Sequence, residues 1–446
     1  MFSDKKLMKR VLALMLPMML QNLLNFAVAA ADSIMVGTLG DASVAAVTHA
    51  NQIYMIHETI VFGMCSGGSI LISQHWGRKD SGSIRNVMKL IMMIVLTMSL
   101  VYSLICIAFP GQILGLFTND PAVIREGLRY FRPVLISYPV VALSYAYLQA
   151  LKAVEDVRIS TRIYLVSGFI NVICNYIFIN GVLGMPRLGV TGAAVGTVIS
   201  RIFELVASIW YNRAREKNVG FRMFDGIRID FTEFRKFINV SIPVIINDLE
   251  WGLGMTVQVA VYGHISSEAA AGTSVVSTAL QMAMVAVYGA ANAVCIETGI
   301  LVGEGDTNKL KASSRDFEKL ALLVGIFACG LILLIRKPFL MMYTGVSQDA
   351  KNIAFTILGY LSVIMIARSL ENVYIIGILR GSGNTGFALA TDAMCMWLIG
   401  IPLGLFGAAV LGLSAETVYL LINCDSFVKI AICFFYIRKH GLLRDR

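Results

Sequence analysis

Apolar runs of about 20 residues or more recur along this chain, each long enough to cross the ~30 Å hydrocarbon layer of a bilayer as a helix. In lipid the backbone must satisfy its own hydrogen bonds, so such runs become helices. Twelve candidates follow one another: residues 11–36, 44–70, 87–110, 130–151, 159–180, 189–211, 237–263, 268–298, 317–340, 352–379, 386–410 and 416–437. The expected fold class is therefore an all-α polytopic membrane protein with twelve transmembrane helices. Composition agrees: 57% of the 446 residues are hydrophobic and only 15% charged, against roughly 25% charged in soluble domains. The basic start from Lys5 to Arg10 resembles a signal peptide, but its apolar run is long and leads into further spans. We read it as an uncleaved first helix.

Lys and Arg set the orientation of such a chain. The two tails, the even-numbered loops and the span ends beside them hold 27 of the 37 basic residues. The odd-numbered loops and the span ends beside them hold 7: Arg125, Arg129, Arg132, Arg187, Arg336, Lys337 and Lys351. Arg201, Arg368 and Lys429 are left inside spans. Both termini are thus expected in the cytoplasm, with the protein multi-pass in the inner (cell) membrane. The net charge of +9 is this topology signal, and no interleaved basic and aromatic patch indicates nucleic acid. All eight cysteines fall within candidate spans without Cys-x-x-Cys spacing, as small buried apolar groups do.

The sequence is also duplicated. Pro17 and Pro243 stand 226 residues apart, and the same offset superposes Gly37 on Gly263, Gly63 on Gly289, Gly77 on Gly303 and Asp80 on Asp306. Phe117-Thr118 meets Tyr343-Thr344 at that offset, and a four-residue shift then pairs Tyr130 with Tyr360. Two six-helix lobes result, residues 1–211 and 237–446, joined by a basic linker at 212–236. An even number of spans inserts both the same way up, a transporter arrangement. Pro17 and Pro243 mark a kink in the first helix of each lobe, either fixed or a hinge.

Ionisable groups inside spans are costly and usually paired or functional. Three bases have an acid three or four residues away: Arg201 with Glu204, Arg368 with Glu371, Lys429 with Asp425. Six acids have no base in their own span: Asp32, Glu58, Asp248, Glu250, Glu297 and Asp392. An acidic interior attracts cations and protons. By depth, Asp32 falls in the outer part of the first span, level with Asn171 and Asn175 of the fifth and Thr197 of the sixth. One carboxylate and three neutral oxygens suit a hard cation such as Na⁺; the same Asn and Thr could instead only join helices. Glu250 and Glu58 lie near mid-membrane, and of Asp248 and Glu250 only one should face a cavity. Glu371 is the paired acid expected to do more than pair. Glu297 and Asp392 lie near the cytoplasmic ends and are expected to reach water.

Several motifs are decoys. Gly381-Ser-Gly383-Asn-Thr-Gly386 joins two membrane helices with no preceding strand, so it is not a dinucleotide site. His57-Glu58 begins a zinc-protease pattern, but position 61 is Val. No Gly-x-x-x-x-Gly-Lys-Ser/Thr occurs, so an ion gradient rather than ATP should supply the energy.

Four segments carry a family resemblance: Pro17 through Asp32 to Val36-Gly37-Thr38-Leu39-Gly40, Ser73-Gln74-His75-Trp76-Gly77, Leu188-Gly189-Val190-Thr191-Gly192-Ala193-Ala194, and Leu379-Arg380-Gly381-Ser382-Gly383. In order and spacing they resemble the multidrug and toxic compound extrusion (MATE) transporters. The resemblance implies a V-shaped pair of six-helix lobes and cation-driven drug export. It implies an N-lobe cation site at Asp32, Asn171, Asn175 and Thr197, with the Ala193 carbonyl as a further ligand. Glu250 matches a seventh-helix glutamate of part of the family, whereas Ser369 takes the place of the expected tenth-helix acid, with Glu371 two residues on.

Together these readings give a secondary active transporter, not an enzyme, that exchanges Na⁺ or H⁺ for amphipathic organic cations. The substrate cavity is expected at Glu250, Glu58, Glu371 and Asp248, with no cofactor beyond a bound Na⁺. The expected partners are small organic cations and membrane lipid, and the chain should act as a monomer. A flippase for a lipid-linked sugar precursor is the alternative. It would need a cavity rich in Arg and Lys to hold phosphates, for which Arg201 and Arg368 are the only candidates.

Overall fold

A computed structural model of the protein describes residues 4–214, 219–221 and 231–440. Part of the expected 212–236 linker and the last six residues therefore lie outside the described residues. The described residues contain no strand. They form α1 (Lys5–Gly37), α2 (Asp41–Gly77), α3 (Ser81–Ala108), α4 (Pro110–Gly115), α5 (Pro121–Leu135), α6 (Ser137–Ala153), α7 (Val157–Asn180) and α8 (Val190–Ala214). The second half supplies α9 (Phe231–Ile265), α10 (Ser267–Glu304), α11 (Thr307–Met341), α12 (Gln348–Asn372), α13 (Thr385–Cys395), α14 (Ile401–Ala409), α15 (Ala415–Ile422) and α16 (Asp425–His440). α12 runs on as a π-helical stretch, Val373–Arg380, and a second, Met396–Gly400, joins α13 to α14.

Among the described residues, ten helical stretches are long and apolar enough to cross a membrane, and the α5–α6 pair makes an eleventh. α9, the seventh expected span, is the one outside that count. It has 35 residues, but Asn247, Asp248 and Glu250 interrupt its apolar run.

The fourth expected span, 130–151, is not one straight helix. α5 and α6 meet at a 46° bend around Ile136. Pro133, in the last turn of α5, has no N–H for the carbonyl four residues back. That carbonyl, of Arg129, instead accepts from the Thr191 hydroxyl at 3.4 Å. By contrast α1 and α9 continue through Pro17 and Pro243.

The duplication is visible in the element boundaries. α1 and α9, α2 and α10, and α3 and α11 each begin 226 residues apart. So do two helix caps: the Asp80 carboxylate accepts from the Ser83 amide at 3.0 Å, and that of Asp306 from the Lys309 amide at 2.9 Å. The chain divides into two compact units, Leu20–Ile245 and Met1–Met19 with Ile246–Arg446. The division falls inside α1 and α9, and two glycines at the same offset explain it. A Cβ on Gly63 of α2 would run into Ile245 of α9, and one on Gly289 of α10 into Met19 of α1. The leading part of each long helix is thus seated on a glycine of the unit it joins.

In the Leu20–Ile245 unit one core gathers α2, α3 and α6 with Phe221 and Phe237, and a second gathers α2, α5 and the start of α8. His57 belongs to this packing. It stacks on Tyr138 with centroids 4.7 Å apart, and Nε2 lies 2.7 Å from the Ser99 hydroxyl.

Candidate functional site

The Leu20–Ile245 unit brings together, from α1, α7 and α8, the residues expected to form a cation site. Asn171 and Asn175 stand one turn apart on α7, both buried. The Asn175 amide donates to Asp32 Oδ1 at 2.7 Å and to Asn171 Oδ1 at 3.4 Å. Asn171 donates in turn to Thr197 Oγ1 at 3.4 Å, and Thr197 to the Ala193 carbonyl at 3.0 Å. The five residues form one connected chain with Asp32, half-buried, at its end.

Three neighbours escaped the sequence reading. Ser200 Oγ accepts from Asn171 at 3.5 Å. Gly196 lies against Asn175, whose Oδ1 a Cβ there would strike. That Oδ1 is buried with no hydrogen-bond partner among the described residues. Tyr130, whose hydroxyl donates to Asn51 Oδ1 at 3.4 Å, lies near Asp32 and Thr197. The spacing Gly192-x-x-x-Gly196-x-x-x-Ser200, a small-residue stripe on α8, was the available signal.

Arg201 pairs with Glu204 at 2.9 Å, as their spacing indicated, and the Ser144 hydroxyl also donates to Glu204 at 2.9 Å. Glu58 is exposed on α2 and has no direct salt bridge among the described residues.

The other unit departs from expectation. Arg368 does not pair with Glu371; it donates to Asn423 Oδ1 at 2.7 Å. Glu371 is held by Lys429 at 3.2 Å and by the Ser426 hydroxyl at 2.6 Å. Lys429 also reaches Asp392 at 2.6 Å and its helix neighbour Asp425 at 2.8 Å. Asp392 does not reach water: it is buried and accepts from the Asn247 amide at 2.7 Å. Glu297 is 0% exposed and pairs with Arg10. Asp248 pairs with Arg380 at 2.9 Å. Of the six acids read as lacking a base, Asp32, Glu58 and Glu250 alone have none in direct contact among the described residues.

Helix-by-helix pairing misled here because the partners come from other helices. Arg380 was overlooked because the span was ended at Leu379, whereas the π-helical stretch carries the chain one residue further. Ser369, standing where the family's acid was expected, donates to the Ala321 carbonyl at 2.7 Å and takes no part in the cluster. Glu250 is 9% exposed, with Oε2 3.5 Å from Asn247 and Oε1 without a partner among the described residues. With Lys429 standing among its acids, no group of three or more His, Cys, Asp or Glu side chains among the described residues is placed to hold a metal ion.

A cavity of about 560 Å³ opens beside the starts of α2, α5 and α8, lined by Arg125, Arg129, Arg187 and Glu126. Basic residues able to meet a phosphate are therefore not confined to Arg201 and Arg368.

A duplicated all-helical chain with membrane-length apolar helices and carboxylates held inside each unit is a polytopic membrane transporter. Comparison with known proteins gives the family: the MatE profile matches residues 17–177 and 243–406, two segments beginning 226 residues apart. The chain belongs to the MatE family. It is 26% identical over 306 residues to the "Probable multidrug resistance protein YoeA" of Bacillus subtilis (strain 168), covering 68% of this chain and 66% of the relative. It is 24% identical over 422 residues to the "Probable multidrug resistance protein NorM" of Bacillus anthracis, covering 90% and 88%. Among solved structures, a MATE protein in complex with MaL6 superposes with a TM-score of 0.89 at 18% identity, covering 97% of this chain and 96% of that one. A MOP superfamily transporter from Pyrococcus furiosus does so with 0.89 at 17%, covering 97% and 95%. The fold is the MATE fold.

Proposed function

We propose that this chain is a secondary active multidrug exporter that exchanges Na⁺, or H⁺, for amphipathic organic cations by alternating access. The observation that carries the proposal is Asp32, a half-buried carboxylate with no base in direct contact among the described residues, at the end of a chain of neutral polar groups. The relatives named as probable multidrug resistance proteins support the substrate class.

A cation arriving at Asp32 meets the carboxylate, the Asn171 and Asn175 side-chain oxygens, the Thr197 hydroxyl and the Ala193 carbonyl. The Asn175 amide now offers its N–H₂ to Asp32, so it must turn over to offer Oδ1 instead. Binding therefore gives up the two hydrogen bonds that this amide donates, to Asp32 and to Asn171, for a neutralised carboxylate. Either Na⁺ or a proton cancels the charge of Asp32, which weakens its hold on a cationic substrate and biases the protein towards the state that releases it outside. On this reading the protein sits in the inner membrane with both termini cytoplasmic. Glu250 and Glu58, the acids without a direct salt bridge, attract the substrate, while Pro17 and Pro243 allow α1 and α9 to bend.

Everted vesicles test this directly. Uptake of a fluorescent organic cation should follow an imposed Na⁺ gradient, or a proton gradient, and should vanish in Asp32→Asn. Undiminished uptake by that variant would overturn the coupling role. Should neither gradient drive uptake while a labelled lipid-linked sugar crosses, the protein is a flippase, the reading the arginine-lined cavity would favour.

A further inference from the structure

The geometry points to Lys429 as a tethered cation: its ammonium occupies a second carboxylate site, in the unit that does not hold Asp32, and excludes free Na⁺ from it. Three acids on three different elements converge on this one nitrogen: Asp392 of α13 at 2.6 Å, Asp425 of α16 at 2.8 Å and Glu371 of α12 at 3.2 Å. Neutral donors fix two of these acids further, Ser426 on Glu371 at 2.6 Å and Asn247 on Asp392 at 2.7 Å. The carboxylates are therefore held in place around a positive centre. Lys429 is 2% exposed, so its charge has no recourse to water.

A structural ion pair needs one acid for one base, because each further buried charge adds a desolvation cost. Here three acids face one ammonium, and a fourth stands beside them. Glu250 shares the Asn247 amide with Asp392, and its buried Oε1 has no partner among the described residues. Of the neighbouring bases, Arg380 is engaged with Asp248 and Asn247, while Arg368 donates to the neutral Asn423 and lends its charge to Glu371 and Asp425 without a direct salt bridge among the described residues. So much negative charge around one point is the environment of a cation site, and the cation is the end of a side chain. Because the ammonium cannot leave, this site cannot exchange ions with the bath. Coupling then passes through the Asp32 site alone, with one ion per cycle.

The count rests on the proposed role of Asp32, whereas the occupancy of the second site does not. The test is ²²Na⁺ binding to the purified full-length protein. Wild type should bind one Na⁺ per chain, and Asp32→Asn none. Lys429→Met should bind one more than wild type, and this extra ion should be lost in Lys429→Met/Asp392→Asn. Asp392→Asn alone, nearly isosteric and independent of whether Lys429→Met folds, should leave the wild-type count unchanged. A wild-type ion lost in Asp392→Asn would overturn the proposal. So would a monodisperse Lys429→Met protein that binds no more Na⁺ than wild type. If wild type binds none and Lys429→Met binds one, the tethered cation stands and Na⁺ coupling at Asp32 fails.

Discussion

The two units share helix boundaries, caps and helix-seating glycines, yet they treat buried charge in opposite ways. In the Leu20–Ile245 unit the most buried charge of the site's surroundings is a carboxylate, Glu204, held by Arg201 and serine hydroxyls, while Asp32 is left to amides. In the other unit the central charge is an ammonium, Lys429, surrounded by acids. Duplication therefore preserved what packs and let the polar interior diverge. A glycine that seats a helix is constrained by contact on several sides, whereas a buried charge is constrained only by having a partner, which any neighbouring helix can supply.

This contrast can be broken by experiment. The largest effect should come from Asp32→Asn, which should reduce drug export in cells to that of cells lacking the transporter while membrane levels hold. Full resistance would remove the functional difference between the units. Next is Lys429→Ala. Taking the ammonium away from three carboxylates should cost about 3–5 kcal/mol, the cost of stripping one partner from a buried ion pair. It should lower the melting temperature in detergent, and added Na⁺ should recover part of the loss by binding the folded state. A melting temperature indifferent to both changes would mean the cluster is no site.

Gly196→Ala should then weaken Na⁺ binding by about tenfold, or about 1.4 kcal/mol. The new methyl displaces the Asn175 amide and leaves the Lys429 cluster untouched. Gly63→Ala and Gly289→Ala, compared by thermal melting, should each lose about 1–3 kcal/mol through overpacking, by similar amounts because the contacts are equivalent. The smallest effects are expected at the caps, where Asp80→Ala and Asp306→Ala should each cost about 1 kcal/mol. The Ser83 hydroxyl and amide hold the Asp80 carboxyl below the usual carboxylate range. Its contribution should therefore be complete at neutral pH and fade as pH falls through that lowered range, which a melting series in acid would show.

The sequence made the repeat, the number of spans and the Asp32 chain legible, because each rests on local spacing. Asn171 and Asn175 share a face by being one turn apart, and the proline, glycine and aspartate coincidences need only one offset. The ion pairs of the other unit were not legible. Arg10 with Glu297 and Arg380 with Asp248 join residues far apart in the chain. Spacing along one helix cannot reveal a partner on another, and it wrongly offered Glu371 to Arg368. The bend at Ile136 was within reach, since Pro133 stands inside the fourth span. The π-helical stretches were not, although one of them brings Arg380 indoors.

The seating of Met19 on Gly289 and of Ile245 on Gly63 has a consequence for the ancestry of the chain. A single unduplicated copy would own a leading helix segment whose seat lies on the equivalent glycine of another copy. Such an ancestor would have been complete only as a pair, each molecule lending its first turns to its twin. On that history, fusion of the genes would have tied together two polypeptides that already depended on each other. For the same reason, cutting today's chain between α8 and α9 should yield fragments that regain order when produced together and not when produced apart.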